Sequence, residues 1–139
     1  MIILVTMVAD LFHYGHITFL KNIKNKYKCN IIVGLHTDED VMKYKREPIM
    51  TYNERKIVLE SCKYVDNVIE CPLNINLEFL KLYNIDIMIH AHDIEEHEKY
   101  KFLWGKMGDK FIREDYTKGI STTDIIKRVI DRYNTIHIN

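Results

Sequence analysis

The chain has 139 residues, a mean hydropathy of −0.22, and 20 basic and 20 acidic side chains. This length predicts a single domain over residues 1–139, and the zero net charge argues against a nucleic-acid partner or a membrane-surface role, since both need a basic excess. No apolar run approaches the roughly 18 residues of a membrane helix and no signal peptide is recognised, while three cysteines without CxxC spacing favour reduced thiols in a cytoplasmic protein.

Short apolar runs alternate with amphipathic segments along the chain. Strands are predicted over residues 2–8, 30–35, 64–70, 85–90 and 110–112. Helices are predicted over residues 16–26, from 37 onward, and over 51–61, 77–83 and 121–133. Thr37 is a candidate N-cap, and Thr51 with Glu54 forms a candidate capping box. The alternation predicts an α/β fold: a Rossmann-like, doubly wound, parallel five-stranded sheet with helices on both faces.

In such sheets a ligand binds outside the carboxyl ends of the strands, where the strand order reverses. The first strand leads into the segment Asp10–His16, in which His13 and His16 flank Gly15 at the start of a helix. The unpaired N–H groups of a helix start carry the positive end of its dipole and bind anions. Two imidazoles at that point favour phosphate chemistry, although an HxxH pair alone is also compatible with packing.

Four segments, in chain order, resemble the signatures of the cytidylyltransferases, which are nucleotidyltransferases with an HxGH motif. They are residues 10–16; 33–39 with Lys45, Pro48 and 53–55; 64–68 with 84–86 and 90–94; and 119–125. The chain looks like the ethanolamine-phosphate, choline-phosphate and glycerol-3-phosphate enzymes. The resemblance implies transfer of CMP from CTP to a phosphorylated small alcohol, with release of pyrophosphate and no covalent intermediate. That chemistry depends on positioning and charge neutralisation.

The resemblance also implies residue roles. The expected catalytic residues are His13 and His16 on the CTP phosphates, Lys45 between the α-phosphate and the incoming phosphate, and Arg55 on phosphate. For Arg55 a surface ion pair is an equal alternative. The expected CTP-binding residues are Val8, Ala9, His13, Gly15, His16, Asp93, Gly119, Ile120, Ser121, Thr122 and Thr123. The expected acceptor-binding residues are Asp10, Lys45, His90 and His92.

The implied cofactor is Mg²⁺ bound through the CTP phosphates, with no metal site built from protein side chains. The hydroxyl groups of residues 121–123 fit phosphate binding and helix capping alike. The resemblance further implies a homodimer with contacts near the first helix and the third strand. No membrane helix is expected.

Several positions depart from the family pattern. Met7 and Arg46 stand where the family has glycine, Ala9 where it has an aromatic residue, and Tyr116 where it has arginine. These departures leave open a catalytically weakened CTP-binding homologue. Adenylyltransferases share the HxGH and ISTT elements, but the segments 45–55 and 64–68 look like the cytidylyl branch.

Phosphoethanolamine is the favoured acceptor, with phosphocholine and glycerol 3-phosphate as alternatives. The segment 86–94 has the length of the ethanolamine and glycerol types. Leu73 occupies the position of the choline-side tryptophan, so an aromatic cage for a quaternary ammonium is not expected there. Trp104 is interpreted as a packed core or lid residue.

Overall fold

The fold is built on a parallel sheet. A computed structural model describes residues 1–92, 94–133 and 135, so Asp93, a predicted CTP-binding residue, lies outside the described residues. In the described part of the chain the strands are β1 (Ile2–Met7), β2 (Asn30–Leu35), β3 (Asn67–Glu70), β4 (Ile87–Ala91) and β5 (Phe111–Glu114). They pair in parallel in the order β3-β2-β1-β4-β5. The predicted five-stranded Rossmann-like sheet is confirmed, and its strand order reverses between β1 and β4.

Helices connect the strands. They are α1 (Tyr14–Tyr27), α2 (Asp38–Met42), α3 (Tyr52–Glu60), α4 (Leu77–Leu82), α5 (Ile94–Trp104) and α6 (Thr122–Arg132), with a 3₁₀ segment at Gly105–Lys110. The predicted caps are confirmed, since the Thr37 hydroxyl accepts from the N–H of Asp40 and the Thr51 hydroxyl from that of Glu54. Among the described residues, no helix is long and apolar enough to cross a membrane.

Both faces of the sheet are covered, as the doubly wound fold requires. Alternate strand residues point to opposite faces, so Ile3 and Val5 join one cluster and Leu4 joins the other. The first cluster includes Leu20 and Ile23 of α1 and Leu59 of α3. The second includes Leu80 of α4 and Met107 of the 3₁₀ segment.

The predicted secondary structure needs two corrections. The third strand begins at Asn67 rather than residue 64, because the Asp66 carboxylate turns back to accept the N–H of Ile31 at 2.8 Å. The sequence pattern gave no helix between residues 94 and 110, where the structure has α5 and the 3₁₀ segment. Helix α5 carries charge at five of its eleven residues and has no fully buried residue, so it lacks the apolar stripe by which a helix is recognised.

Candidate active site

The candidate site lies at the carboxyl ends of β1 and β4, where the strand order reverses. After β1 the chain runs through Asp10 to the start of α1. The start of α6 packs beside this segment. The Thr122 hydroxyl donates to the Asp10 carbonyl at 3.0 Å, and its oxygen lies 3.4 Å from Nε2 of His13. Sequence segments more than a hundred residues apart are thereby brought together, as predicted.

His13 and His16 form a reciprocal cap at the start of α1. Nδ1 of His13 accepts the N–H of Gly15 at 3.0 Å, and Nδ1 of His16 accepts the N–H of His13 at 3.0 Å. Because each Nδ1 is an acceptor, each neutral ring carries its proton on Nε2. The two rings, 3.9 Å apart between centroids, therefore present two Nε2–H donors at one helix start.

Burial keeps both imidazoles neutral. It lowers the pKa of His13 and, with the repulsion of His13 and Lys45, lowers the pKa of His16 to about 4 despite the opposing charge of Asp10. A neutral ring with its proton on Nε2 still donates one hydrogen bond, and a bound polyanion would favour the protonated form. The arrangement is thus suited to an anionic ligand.

Gly15 is required by packing. A Cβ at this position would lie 2.7 Å from Cγ2 of Ile120 and 2.8 Å from Cε1 of His13. The Thr117 hydroxyl also donates to the Gly15 carbonyl at 3.0 Å. The absence of a side chain at Gly15 therefore makes room for the His13 ring and for Ile120 in the loop before α6.

The loop before α6 turns at Gly119, whose φ of +88° lies in the left-handed region that favours glycine. Ser121 is the N-cap of α6, with its hydroxyl accepting from the N–H of Asp124 at 3.1 Å. The side chains of Ser121 and Thr123 are exposed and that of Thr122 is half-buried. The capping interpretation is confirmed here, while phosphate binding by this turn stays a prediction.

Lys45 shares the site with three imidazoles. Burial is the main cause of the lowered pKa values of His16, His36 and His90, and the charge of Lys45 contributes to each. Desolvation lowers the pKa of Lys45 itself, against an opposing contribution from Glu96. The Lys45 ammonium is therefore the positive charge near these rings, and with their N–H groups it favours a negatively charged ligand.

His36 and His90 lie at the ends of β2 and β4. Nδ1 of His90 is 2.7 Å from Oγ1 of Thr6 on β1, and Nδ1 of His36 is 3.0 Å from the carbonyl of Cys71. Burial lowers the pKa of His90 to about 4 and also lowers that of His36. Sequence reasoning gave His36 no role of its own, and its position directly after β2 was the available signal.

His92 is placed differently from the prediction. The side chain is fully buried, its Nε2 lies 2.9 Å from Nδ1 of His97, and its ring stacks on Trp104 at 4.2 Å. A fully buried ring offers no surface to a ligand, so direct contact between His92 and an acceptor is corrected to a packing role. Trp104 also stacks on Phe111 at 5.2 Å, which confirms it as a packed aromatic residue.

Arg55 is neither a surface ion pair nor an accessible phosphate ligand. It is fully buried, and its guanidinium donates to the carbonyls of Val8 at 2.6 Å, His36 at 3.0 Å and Met50 at 3.2 Å. It also pairs with Asp38 at 2.6 Å. Its planar fork therefore ties together the ends of β1 and β2 and the start of α3, and the predicted direct phosphate contact is corrected to this structural one.

The Asp10 carboxylate is also engaged within the protein. The side chain is buried and accepts the N–H groups of Ile49 and Met50 and the guanidinium of Arg46. Burial alone would raise the pKa of Asp10, but these bonds outweigh it and lower that pKa. Asp10 anchors the Lys45 loop, and its predicted contact with the acceptor stays a prediction.

The departures from the family pattern have specific positions. Met7 is partly buried and packs against the first core cluster. Tyr116 is exposed, and Arg113 donates through one nitrogen to the His92 carbonyl at 2.8 Å and to Asp115 at 2.6 Å.

Among the residues that the structure describes, no group of three or more histidine, cysteine, aspartate or glutamate side chains converges. Binding of Mg²⁺ through the phosphates of CTP stays a prediction.

Comparison with known proteins agrees with this geometry. A family model described as "Cytidylyltransferase-like" matches residues 8–128. The chain belongs to the cytidylyltransferase-like family. It is 31% identical over 126 residues to a probable ethanolamine-phosphate cytidylyltransferase of Schizosaccharomyces pombe, covering 87% of this chain and 34% of that protein. It is 36% identical over 137 residues to choline-phosphate cytidylyltransferase 2 of Arabidopsis thaliana, covering 91% and 44%.

The chain therefore spans between a third and a half of the length of these curated relatives. A solved structure, the lipopolysaccharide core biosynthesis protein from Thermoplasma volcanium, superposes with a TM-score of 0.66 at 24% identity. The superposition covers 84% of this chain and 97% of that one. This likeness supports the fold alone.

Proposed function

We propose that this protein transfers CMP from CTP to a phosphorylated small alcohol. The observation that carries the proposal is the convergence of two Nε2–H donors, from His13 and His16, with the start of α6. The positive charge of Lys45 is near enough to His16 to contribute to its lowered pKa. A helix start, imidazole N–H donors and a lysine ammonium together suit a triphosphate. The curated relatives are named as cytidylyltransferases for ethanolamine phosphate and choline phosphate.

The chemistry is an in-line displacement. An oxygen of the acceptor's phosphate forms a bond to the α-phosphorus of CTP, and the bond from that phosphorus to the bridging oxygen breaks, so pyrophosphate leaves with the electron pair. The acceptor phosphate attacks as an anion, so no general base is required. The chain contributes hydrogen-bond donors and positive charge to oxygens on which negative charge builds in the transition state.

Each group has a place in this scheme. His13 and His16 donate from Nε2 to the CTP phosphates, and the exposed start of α6 offers Ser121 and Thr123 to the leaving phosphates. Lys45 bridges the α-phosphate and the incoming phosphate as a compact point charge. Arg55 and Asp10 hold the surrounding loops.

Phosphoethanolamine is the acceptor we propose. A quaternary ammonium calls for an aromatic cage, but Trp104 is already stacked on His92 and on Phe111, and Leu73 replaces the expected tryptophan. A primary ammonium needs hydrogen-bond acceptors instead. The imidazole of His90, at the end of β4, is the group we propose for accepting a hydrogen bond from that ammonium.

The test is pyrophosphate release from CTP and Mg²⁺ with phosphoethanolamine, phosphocholine or glycerol 3-phosphate. We expect turnover to depend on an acceptor, to be fastest with phosphoethanolamine, and to be lost in His16→Ala. Lys21→Ala, an exposed position on the same helix, is the matched control and should keep wild-type activity. CTP binding without turnover on any acceptor would favour the weakened homologue, for which the exposed Tyr116 in place of arginine is the supporting observation.

We further propose a homodimer in the cytoplasm. Tyr14 and Ile17 of α1 are exposed apolar residues near the face implied for the dimer, and the three cysteines are free thiols, as a reducing compartment permits. Light scattering at several concentrations tests the dimer, and substituting Ile17 by lysine should shift it toward monomer.

A further inference from the structure

One carboxylate fastens the loop that carries Lys45, residues 43–51, to the turn after β1. Oδ2 of Asp10 accepts the N–H of Ile49 at 2.8 Å, and Oδ1 accepts the N–H of Met50 at 2.9 Å. Oδ2 also accepts from Nη1 of Arg46 at 3.2 Å. The Asp10 side chain is 6% exposed and that of Arg46 is 48% exposed, so the pair lies at the edge of the site.

The backbone around Asp10 is strained. Ala9 has φ of 56° and Leu11 has φ of 48°, and residues other than glycine rarely adopt this left-handed conformation. Such strain persists where surrounding contacts over-determine the conformation. The three hydrogen bonds to the Asp10 carboxylate are contacts of this kind, and they orient the carboxylate toward the loop of residues 43–51.

Arg46 is the part of this arrangement that distinguishes the chain, because it stands where the family pattern has glycine. A glycine has no side chain with which to reach Asp10. Arg46 also directly follows Lys45, so any contact that fixes Arg46 restricts the backbone on which Lys45 is carried. The Arg46 charge contributes to the lowered pKa of Lys45, which agrees with their closeness.

We propose that Arg46 is a positioning residue whose ion pair with Asp10 docks the loop of residues 43–51 and so holds Lys45 at the phosphate site. The rate effect of this docking rests on the proposed function, while the docking itself is measurable without turnover. A direct contact between Arg46 and an acceptor phosphate is the competing role.

The first experiment measures hydrogen exchange of the amides of Ile49 and Met50. We expect Arg46→Gln and Arg46→Gly to speed exchange about three- to tenfold, as loss of one charged, half-exposed hydrogen bond implies. Arg46→Lys, which keeps the charge, should restore part of the protection. Lys43→Gln removes an exposed charge from the same loop, one that is paired with Asp40 of α2, and should leave the exchange rates of both amides unchanged. Unchanged exchange in both Arg46→Gln and Arg46→Gly would overturn the proposal.

The second experiment is a double-mutant cycle on turnover. We expect Arg46→Gln to lower kcat about three- to tenfold with little change in the KM for CTP, because Lys45 acts mainly in the transition state. In an Asp10→Asn background the same substitution should have little further effect, since the ion pair is already broken. A full effect in that background, with a raised KM for the acceptor, would overturn the proposal in favour of direct contact. If the wild-type protein shows no turnover, the proposed function fails and the exchange experiment still decides the docking.

Discussion

The imidazole rings of His13 and His16 lie 3.9 Å apart between centroids and together cap the first turn of α1. His13 accepts the N–H of Gly15, and His16 accepts the N–H of His13. The same two bonds that stabilise the helix start leave Nε2 of each ring protonated. Local structure and chemistry are thus coupled at these two residues.

Substitution of His13 should separate these two roles. In His13→Asn the shorter side chain can still cap the helix, so we expect a free energy of unfolding within about 1 kcal/mol of wild type. The Nε2 donor is lost, and we expect kcat/KM to fall about a hundredfold or more. Urea unfolding together with initial rates checks both, and wild-type activity in His13→Asn would contradict the role of the donor.

Gly15→Ala should destabilise the fold. The new Cβ would lie within 2.9 Å of the Ile120 and His13 side chains, so one or both must move. We expect a loss of about 1–3 kcal/mol in the free energy of unfolding, measured by urea denaturation. A loss below about 0.5 kcal/mol would show that the contacts are easily relieved.

Stability should fall as the solution becomes acidic. The pKa values of His16 and His90 are lowered from 6.5 to about 4 in the folded state, chiefly by burial. Between these pH values the unfolded chain binds more protons than the folded one. The contribution of the two histidines to the free energy of unfolding is therefore complete above about pH 6.5 and declines toward pH 4. Thermal unfolding across this range measures the slope, which should be smaller in His16→Gln. Titration of the His16 ring by NMR with CTP present should show a raised pKa.

Arg55→Lys should be costly although both residues are cationic. Lysine lacks the planar fork that reaches three carbonyls and Asp38, so buried acceptors would lose their donors. We expect a loss of about 3 kcal/mol or more in the free energy of unfolding. Lys63→Arg, at an exposed position just beyond α3, is the control and should change stability by less than about 0.5 kcal/mol. A stable Arg55→Lys protein with weakened CTP binding would instead support a phosphate contact.

The sequence predicted the sheet and most of the helices because their apolar residues repeat with clear periods. Segments such as residues 2–8 and 121–133 also carry recognisable ends, and Ser121 caps α6 as its residue type favours. Helix α5 could not be predicted in this way, because it contacts the rest of the protein without a buried apolar stripe.

The site was predicted in part, since motif spacing located residues without showing their partners. Arg55 and Asp10 both stand at motif positions, and the structure engages the side chains of both within the protein. Burial of this kind depends on loops distant in sequence. No local pattern reports it.

The most direct test of CMP transfer follows the atoms. The reaction uses CTP and phosphoethanolamine labelled with ¹⁸O in its phosphate, and the products are read by phosphorus NMR and mass spectrometry. The account predicts CDP-ethanolamine that keeps all of the label, including the oxygen joining the two phosphorus atoms, and unlabelled pyrophosphate. Label in the pyrophosphate, or pyrophosphate released equally fast without an acceptor, would contradict it.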